Sequence, residues 1–235
     1  MDLTGGGCAL CRGGAALGKL SAVAVVLVLA AALVLAAVPP SHVRAMDAEC
    51  LRGAQTLRSP ALTVVGLALT ALGEGAFLTL VVLGGSLVLR RSGSGEVALL
   101  LSSGILAAAV THAIKFAVAR PRPQLVERVV EAAGYAFPSG HTFGAAAVYL
   151  ALAVGLGRRC LRWRIQLVAL AWLVVIGVGA SRVYLGVHYP TDVIAGWLLG
   201  AATVTLLQRH LIRRQGPRVQ PGVSDEDDEG AVVRR

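Results

Sequence analysis

Apolar residues in this chain come in long uncharged runs, without the alternation of a half-buried strand. From Leu20 to Val38 there are 19 residues without a charge, ended by Pro39-Pro40. A helix needs about 20 such residues to cross a bilayer, so this run predicts a first spanning helix. The run is Ala-rich and Val43-Arg44-Ala45 is a poor but conceivable cleavage site, so a signal peptide is the competing reading; the length of the run favours a retained helix. Residues 41–60 are polar and end at Pro60. The apolar stretch Ala61–Leu89 is too long for one span, and Gly73-Glu74-Gly75 divides it into a surface helix over Ala61–Ala71 and a second span over Leu72–Leu89. Arg90-Arg91 and the turn Ser92–Gly95 lead into a third span over Val97–Ala119. Residues 120–138, rich in Arg, Pro and Glu, cannot be embedded in lipid. Thr142–Gly157, Ile165–Ala180 and Val193–Leu207 give the fourth, fifth and sixth spans. The expected fold is all-α, an integral membrane six-helix bundle over residues 20–208. A Gly-rich leader (1–19) and a polar tail (209–235) flank it, both expected to be cytoplasmic and disordered.

Composition agrees with this reading. The 235 residues are 56% hydrophobic and only 15% charged, against about 25% charged in a soluble domain. The net charge of +9 would point to nucleic acid in a soluble chain. Here the arginines sit at the ends of apolar runs, which reads as membrane topology with no nucleic-acid partner. Six spans place both termini on one side. With that side cytoplasmic, 14 of the 22 basic residues lie inside and eight outside, and three of the eight belong to the motifs below. The chain is therefore expected to be a multi-pass protein of the cell membrane with both termini inside. Cys8 and Cys11 form one CxxC with neither a second pair nor a nearby histidine, so no metal site is expected from them; Cys50 and Cys160 read as incidental. The acidic run Asp225–Glu229 reads as a solubilising tail.

Against this background the polar clusters between spans carry the chemistry. His188 and Asp192 are four apart, with Pro190 placed where a helix can begin. Asp192 can accept a hydrogen bond from one ring nitrogen of His188, leaving the other as a nucleophile. Ser181-Arg182 precedes them. Lys115 lies near the outer end of the third span, with Arg122-Pro123 seven residues on, and Pro138-Ser139-Gly140-His141 opens the fourth. No two clusters share a span, yet all reach the outer leaflet. Each has a bland alternative taken alone: Lys115 snorkelling, Arg122-Pro123 anchoring a loop, Ser139 only capping a helix. His112, Glu74, Tyr184, Tyr189 and Trp197 are left outside the site, the three aromatics as interfacial residues.

These motifs resemble the type 2 phosphatidic acid phosphatase family of membrane lipid phosphatases, whose phosphate site is shared with vanadium haloperoxidases. The family pattern is K-x6-R-P, then P-S-G-H, then S-R-x5-H-x3-D. The chain reads Lys115-x6-Arg122-Pro123, Pro138-Ser139-Gly140-His141 and Ser181-Arg182-x5-His188-x3-Asp192. The resemblance implies that Lys115, Arg122, Ser139, Gly140 and Arg182 bind phosphate. It implies that His188 attacks phosphorus to give a phosphohistidine, that Asp192 orients it, and that His141 protonates the leaving oxygen and then activates water. No metal and no cofactor are expected. The implied substrate is a lipid phosphate or diphosphate entering from the outer leaflet: polyprenyl diphosphate first, then phosphatidate or phosphatidylglycerophosphate. A phosphotransferase using the same site, or a non-enzymatic lipid transporter or scaffold, are the alternatives. Oligomeric state is open.

Overall fold

The structure, a computed structural model, describes residues 39–91 and 94–214. The leader, the span expected over Leu20–Val38, the Cys8/Cys11 pair and the chain beyond 214 lie outside the described residues. Within them there are seven α-helices and no strand. These are α1 (Ser41–Thr56), α2 (Pro60–Ala71), α3 (Gly75–Leu89), α4 (Ser94–Val118), α5 (Gly140–Arg159), α6 (Arg164–Tyr184) and α7 (Pro190–Arg214). α7 runs past residue 208, where the sequence pattern ends the bundle.

The polar segment 41–60 holds the one helix the hydrophobic pattern does not announce. α1 presents most of its polar residues outward and turns Asp47 and Leu51 inward, both buried. α2 starts where the sequence places it: Pro60 takes the first helical turn and Ser59 Oγ accepts a hydrogen bond from Leu62 N at 3.3 Å. α2 and α3 meet across Leu72–Glu74 at 52°. The bend packs against the head of the bundle, since a Cβ on Gly73 would fall 2.6 Å from Val178 and 3.1 Å from His141. α3 has 15 residues, about 22 Å of helix and short of the roughly 30 Å apolar layer of a bilayer. By length and composition, α4, α5, α6 (with the 3₁₀ turn Leu161–Trp163 before it) and α7 are candidate spans. The bent pair α2–α3 is a fifth if counted as one.

α5 is the centre of the bundle. Of its apolar window 61% is buried, against 28% for α4, so α5 is the helix the others wrap. In lipid no hydrophobic force draws helices together, and close backbone packing of small residues takes its place. Ala146 and Ala147 on α5 are fully buried and face Gly200 on α7, while Gly196 faces Ser139, Thr142 and Phe143. A Cβ on Gly200 would collide with the Ala146 Cβ, and one on Gly196 would lie 3.0 Å from the Phe143 nitrogen. This contact sets the distance between the helix starts that carry His141 and Asp192. Gly200→Leu is expected to cost about 1–3 kcal/mol of bundle stability, read as a lowered midpoint in a detergent thermal-unfolding assay.

Trp197, expected at the membrane interface, instead packs between α6 and α7, donating to Val175 O at 3.1 Å beside Gly179. Between α6 and α7 the chain turns tightly through Gly186, whose φ of +77° and close neighbours (Arg58 and the Glu127 carbonyl, both 2.9 Å from an added Cβ) exclude a side chain. That turn delivers His188.

Candidate active site

Three connections place the site at one end of the bundle. The first is the α4–α5 connection, which follows Lys115 near the end of α4 and carries Arg122. Lys115 Nζ donates to Tyr135 O. The Arg122 guanidinium donates to three backbone carbonyls, Gly134 at 3.0 Å, Ala133 at 2.8 Å and Val187 at 3.0 Å. The connection thus folds over the arginine and fixes its plane. The second is the start of α5. Ser139 is its N-cap residue and is fully buried, but its hydroxyl makes no capping bond; it accepts from Thr142 Oγ1 at 2.8 Å. The Ser139 N–H goes to Asp192 O at 3.1 Å, tying the start of α5 to the start of α7. Gly140 and His141 occupy the first turn of α5, where unpaired backbone N–H groups favour an anion. The third is the α6–α7 turn with Arg182, His188 and Asp192, all nearly inaccessible.

His188 is held from two sides. Its Nε2 lies 3.2 Å from Arg122 Nη1. A guanidinium can only donate, so this contact requires Nε2 to be the acceptor and puts the proton of the neutral ring on Nδ1. Nδ1 faces Asp192 Oδ2 at 3.5 Å, an approach too long to count as a good hydrogen bond. Asp192 is fully buried. Its Oδ2 accepts from Tyr189 N at 2.9 Å and its Oδ1 from Arg120 Nη1 at 2.6 Å. Burial is the main force on the His188 ring and pushes it down to about 4; Asp192 opposes it, and Arg122 and Arg182 add to it. The ring is therefore neutral at neutral pH, with the lone pair on Nε2, where Arg122 meets it.

Arg182 donates from Nη1 to Thr70 Oγ1 at 2.7 Å, while its buried Nε has no partner. An unpaired buried donor beside a histidine is costly unless an acceptor arrives. The charges of Lys115, Arg122, Arg182 and His188 all bear on His141, and the His141 ring makes no hydrogen bond among the described residues. The structure thus brings Lys115, Arg122, His141, Arg182 and His188 into one neighbourhood, with Ser139, Gly140 and Asp192 at its floor. No group of three or more His, Cys, Asp or Glu side chains placed to share a metal ion occurs among the described residues.

Two hollows meet this neighbourhood. One, of about 630 Å³, runs between α3, α4 and α5 and is lined by Leu78, Val82, Ile105 and Val148, with His141 and His112 at its polar end. The other, of about 500 Å³, is polar and is walled by Arg44, Asp47, Arg120, Arg122, Gln124 and Tyr189. Two of these wall residues were not legible as site residues. Arg120 belongs to the doublet Arg120-Pro121-Arg122-Pro123, in which the family spacing selects the second arginine. Asp47 comes from α1, and nothing in its local sequence sets it apart.

Described residues that form helices and no strand, several candidate spans and a cationic pocket around a His–Asp pair define a narrow class, and comparison with known proteins agrees. Residues 96–215 match the PAP2 superfamily, and the chain belongs to that family. It is 32% identical over 170 residues to phosphatidylglycerophosphatase B of Bacillus subtilis (strain 168), spanning 70% of this chain and 83% of that protein. It is 42% identical over 73 residues to the undecaprenyl-diphosphatase of Sulfolobus acidocaldarius, 28% of this chain and 29% of that one. Among solved structures it resembles a transmembrane PAP2 type phosphatidylglycerolphosphate phosphatase from Bacillus subtilis, with TM-score 0.75 and 26% identity, covering 85% of this chain and 98% of the other.

Proposed function

We propose that this chain is a membrane lipid phosphatase that works through a phosphohistidine on His188. The observation that carries the reading is an accepting His188 Nε2 beside Arg122 and a buried, unpartnered Arg182 Nε, with His141 of the same neighbourhood at the polar end of an apolar hollow. The hollow suits a lipid tail and the arginines suit its phosphate. Arg122 and Arg182, with Lys115, surround the phosphoryl oxygens and stabilise charge as it builds there. His188 Nε2 attacks phosphorus as the P–O bond to the lipid breaks, and His141 gives its proton to the departing oxygen. The phosphoimidazole then carries positive charge, which Asp192 offsets. In the second step His141 takes a proton from water, the oxygen of which attacks phosphorus and releases phosphate with His188 restored.

The relatives supply two lipid candidates, phosphatidylglycerophosphate and undecaprenyl diphosphate, by their names. Both, with phosphatidate beside them, belong in a phosphate-release panel on the purified protein in mixed micelles. Release is expected from at least one of them, undiminished by EDTA and inhibited by vanadate, which fits a phosphate site as a trigonal bipyramid. Among the described residues the two buried carboxylates near the site are already engaged, Asp192 by His188 and Arg120 and Asp47 by Arg120 and Thr191, whereas ions that act in phosphoryl transfer need carboxylates of their own. Loss of activity in EDTA with recovery in magnesium would refute the metal-free mechanism. Transfer to an alcohol acceptor without phosphate release would favour a phosphotransferase, and inactivity on every lipid phosphate would favour a transporter or scaffold.

The topology belongs to the same proposal. The span over Leu20–Val38, the bent pair α2–α3 and the four long helices make six, with the domain over about 20–208 and both ends cytoplasmic. The placement of Arg90, Arg91 and Arg158–Arg164 at the end away from His188 supports this orientation. A cysteine introduced at Ala132, in the α4–α5 connection, is expected to react with a membrane-impermeant maleimide in intact cells. Exposed Cys160, after α5, is expected to react only after permeabilisation. The reverse pattern would put the site in the cytoplasm.

A further inference from the structure

Arg120 is the hub of a buried network that extends past the catalytic pair. Its Nη1 donates to Asp192 Oδ1 at 2.6 Å and to Thr191 Oγ1 at 2.8 Å, and its Nη2 donates to Asp47 Oδ2 at 2.8 Å. Its guanidinium carbon lies 4.3 Å from the centre of the Tyr189 ring. Asp47 closes the loop, accepting from Thr191 Oγ1 at 2.7 Å and from Thr191 N at 3.1 Å. Asp47, Arg120 and Asp192 are 2%, 9% and 0% exposed, so these charges meet with little water between them.

The charge count shows what Asp47 is for. Arg120 paired with Asp192 alone would neutralise that carboxylate and leave His188 facing a pair of no net charge. With Asp47 on the other half of the guanidinium, the trio carries one net negative charge. That charge is what a phosphoimidazole cation requires when His188 attacks. Arg120 contributes direction: by fixing Oδ1, it leaves Oδ2 turned to Tyr189 N and to His188 Nδ1. We propose that Arg120 and Asp47 are positioning residues of the phosphatase site, and that α1 is thereby a working part of that site. Both residues reach His188 only through Asp192 and Thr191. The inference rests on the phosphohistidine reading above.

A merely structural staple for α1 would predict something different. If Asp47 and Arg120 only anchored the helix, loosening either would disturb His188 in the same sense. The electrostatic role predicts opposite senses. Asp47→Asn removes negative charge and moves the His188 ring titration to lower pH. Arg120→Gln frees the charge of Asp192 and moves it to higher pH. Both variants nevertheless slow turnover, one by charge and the other by direction. The other charges facing His188 are unchanged in these variants: Arg122 from the α4–α5 connection, Arg182 from α6 and His141 from α5.

The test uses the full chain in detergent micelles, with phosphatidylglycerophosphate as the kinetic probe and ring ¹⁵N NMR of histidine-labelled protein. The His188 signals are assigned by their loss in His188→Gln. The expected result is a fall in kcat of about 10- to 100-fold in Asp47→Asn and Arg120→Gln, the range seen when partners that orient a working histidine are removed. KM stays within about twofold, because ground-state binding is untouched. Arg120→Lys, which keeps one charge-assisted bond but not the fork, falls between. Unchanged kcat, a change in KM alone, or His188 titrations that move together or not at all would overturn the proposal. If Arg120→Gln does not fold, Thr191→Val removes the hydroxyl that joins Asp47 to Arg120. It is expected to lower kcat less, in the same direction, and an unchanged kcat in Thr191→Val and Asp47→Asn also overturns the proposal. A wild-type protein that releases no phosphate from any lipid refutes the phosphatase reading; the NMR arm then decides the charge network by itself, and unmoved titrations reject it.

Discussion

Replacing His188 with alanine is expected to reduce phosphate release to background, a loss of about 10⁴-fold or more, as when the nucleophile of a catalytic triad is removed. The side chain is nearly inaccessible, and alanine offers no atom that can attack phosphorus in its place, so the covalent route closes. Asp192→Asn is expected to be slightly less severe, about 10³- to 10⁴-fold, comparable to the cost of a wrong histidine tautomer. The physical reason lies in the donors around Asp192. Arg120 Nη1, Tyr189 N and His188 Nδ1 all point hydrogens at its two oxygens. An amide supplies one acceptor and one donor, so either Tyr189 and His188 or Arg120 must face N–H against N–H. The relief nearest to hand is a proton moved from Nδ1 to Nε2, which removes the nucleophilic lone pair. Arg122 donating to Nε2 resists that move, so a measurable rate remains. The pH profile of kcat/KM checks the same picture. A ring pushed down to about 4 by burial is neutral above that value and protonated below it. The acidic limb assigned to His188 therefore falls below roughly pH 5, not near 6.5 as for an exposed imidazole. Full activity in correctly inserted His188→Ala would end the covalent mechanism.

Much of this arrangement is legible in the sequence because membrane segments announce themselves by length and motif residues by spacing. α4, α5, α6 and α7 fall on the expected apolar runs within a few residues at their starts, and Pro190 opens α7 as its fixed φ suggests. The bend between α2 and α3 falls at Gly73-Glu74-Gly75, where the sequence divides the run, with Glu74 as the N-cap residue of α3. What is not legible depends on tertiary contact. α1 is too polar to register as a buried element, and only two of its side chains turn inward, so no periodic stripe marks it. Arg120 reads as a loop arginine until Asp47 and Asp192 are seen on either side of it. Ser139 shows the reverse case: the sequence offers an N-cap hydroxyl, and the fold turns it to Thr142. Trp197 has the composition of an interfacial aromatic, yet Gly179 makes a slot for it between two helices.

His141→Gln is the variant expected to separate the two chemical steps. His141 stands in the first turn of α5 at the polar end of the apolar hollow, with its ring unbonded among the described residues. It is therefore free to meet a departing oxygen and afterwards a water. A positioned acid–base group is worth about 10²- to 10⁴-fold, and that loss is expected on a lipid monoester, whose alkoxide leaves poorly without a proton. The first step should suffer much less on p-nitrophenyl phosphate, whose leaving group departs without protonation. The second step gains nothing from that substitution, because water still needs a base. Phosphate transferred to His188 should then accumulate, seen as an initial burst of nitrophenol followed by slow turnover. With ³²P-labelled substrate, the label should remain on the His188 peptide in alkali and be lost in acid, as expected of a phosphoramidate. The glutamine keeps the Cβ and the polarity of the first turn, so Gly73 retains its packing against it. Equal losses on both substrates without labelled protein would remove His141 from the proton-transfer role and leave it as a binding residue. A burst in His141→Gln that disappears in the His188→Ala, His141→Gln double variant would assign attack to one histidine and proton transfer to the other.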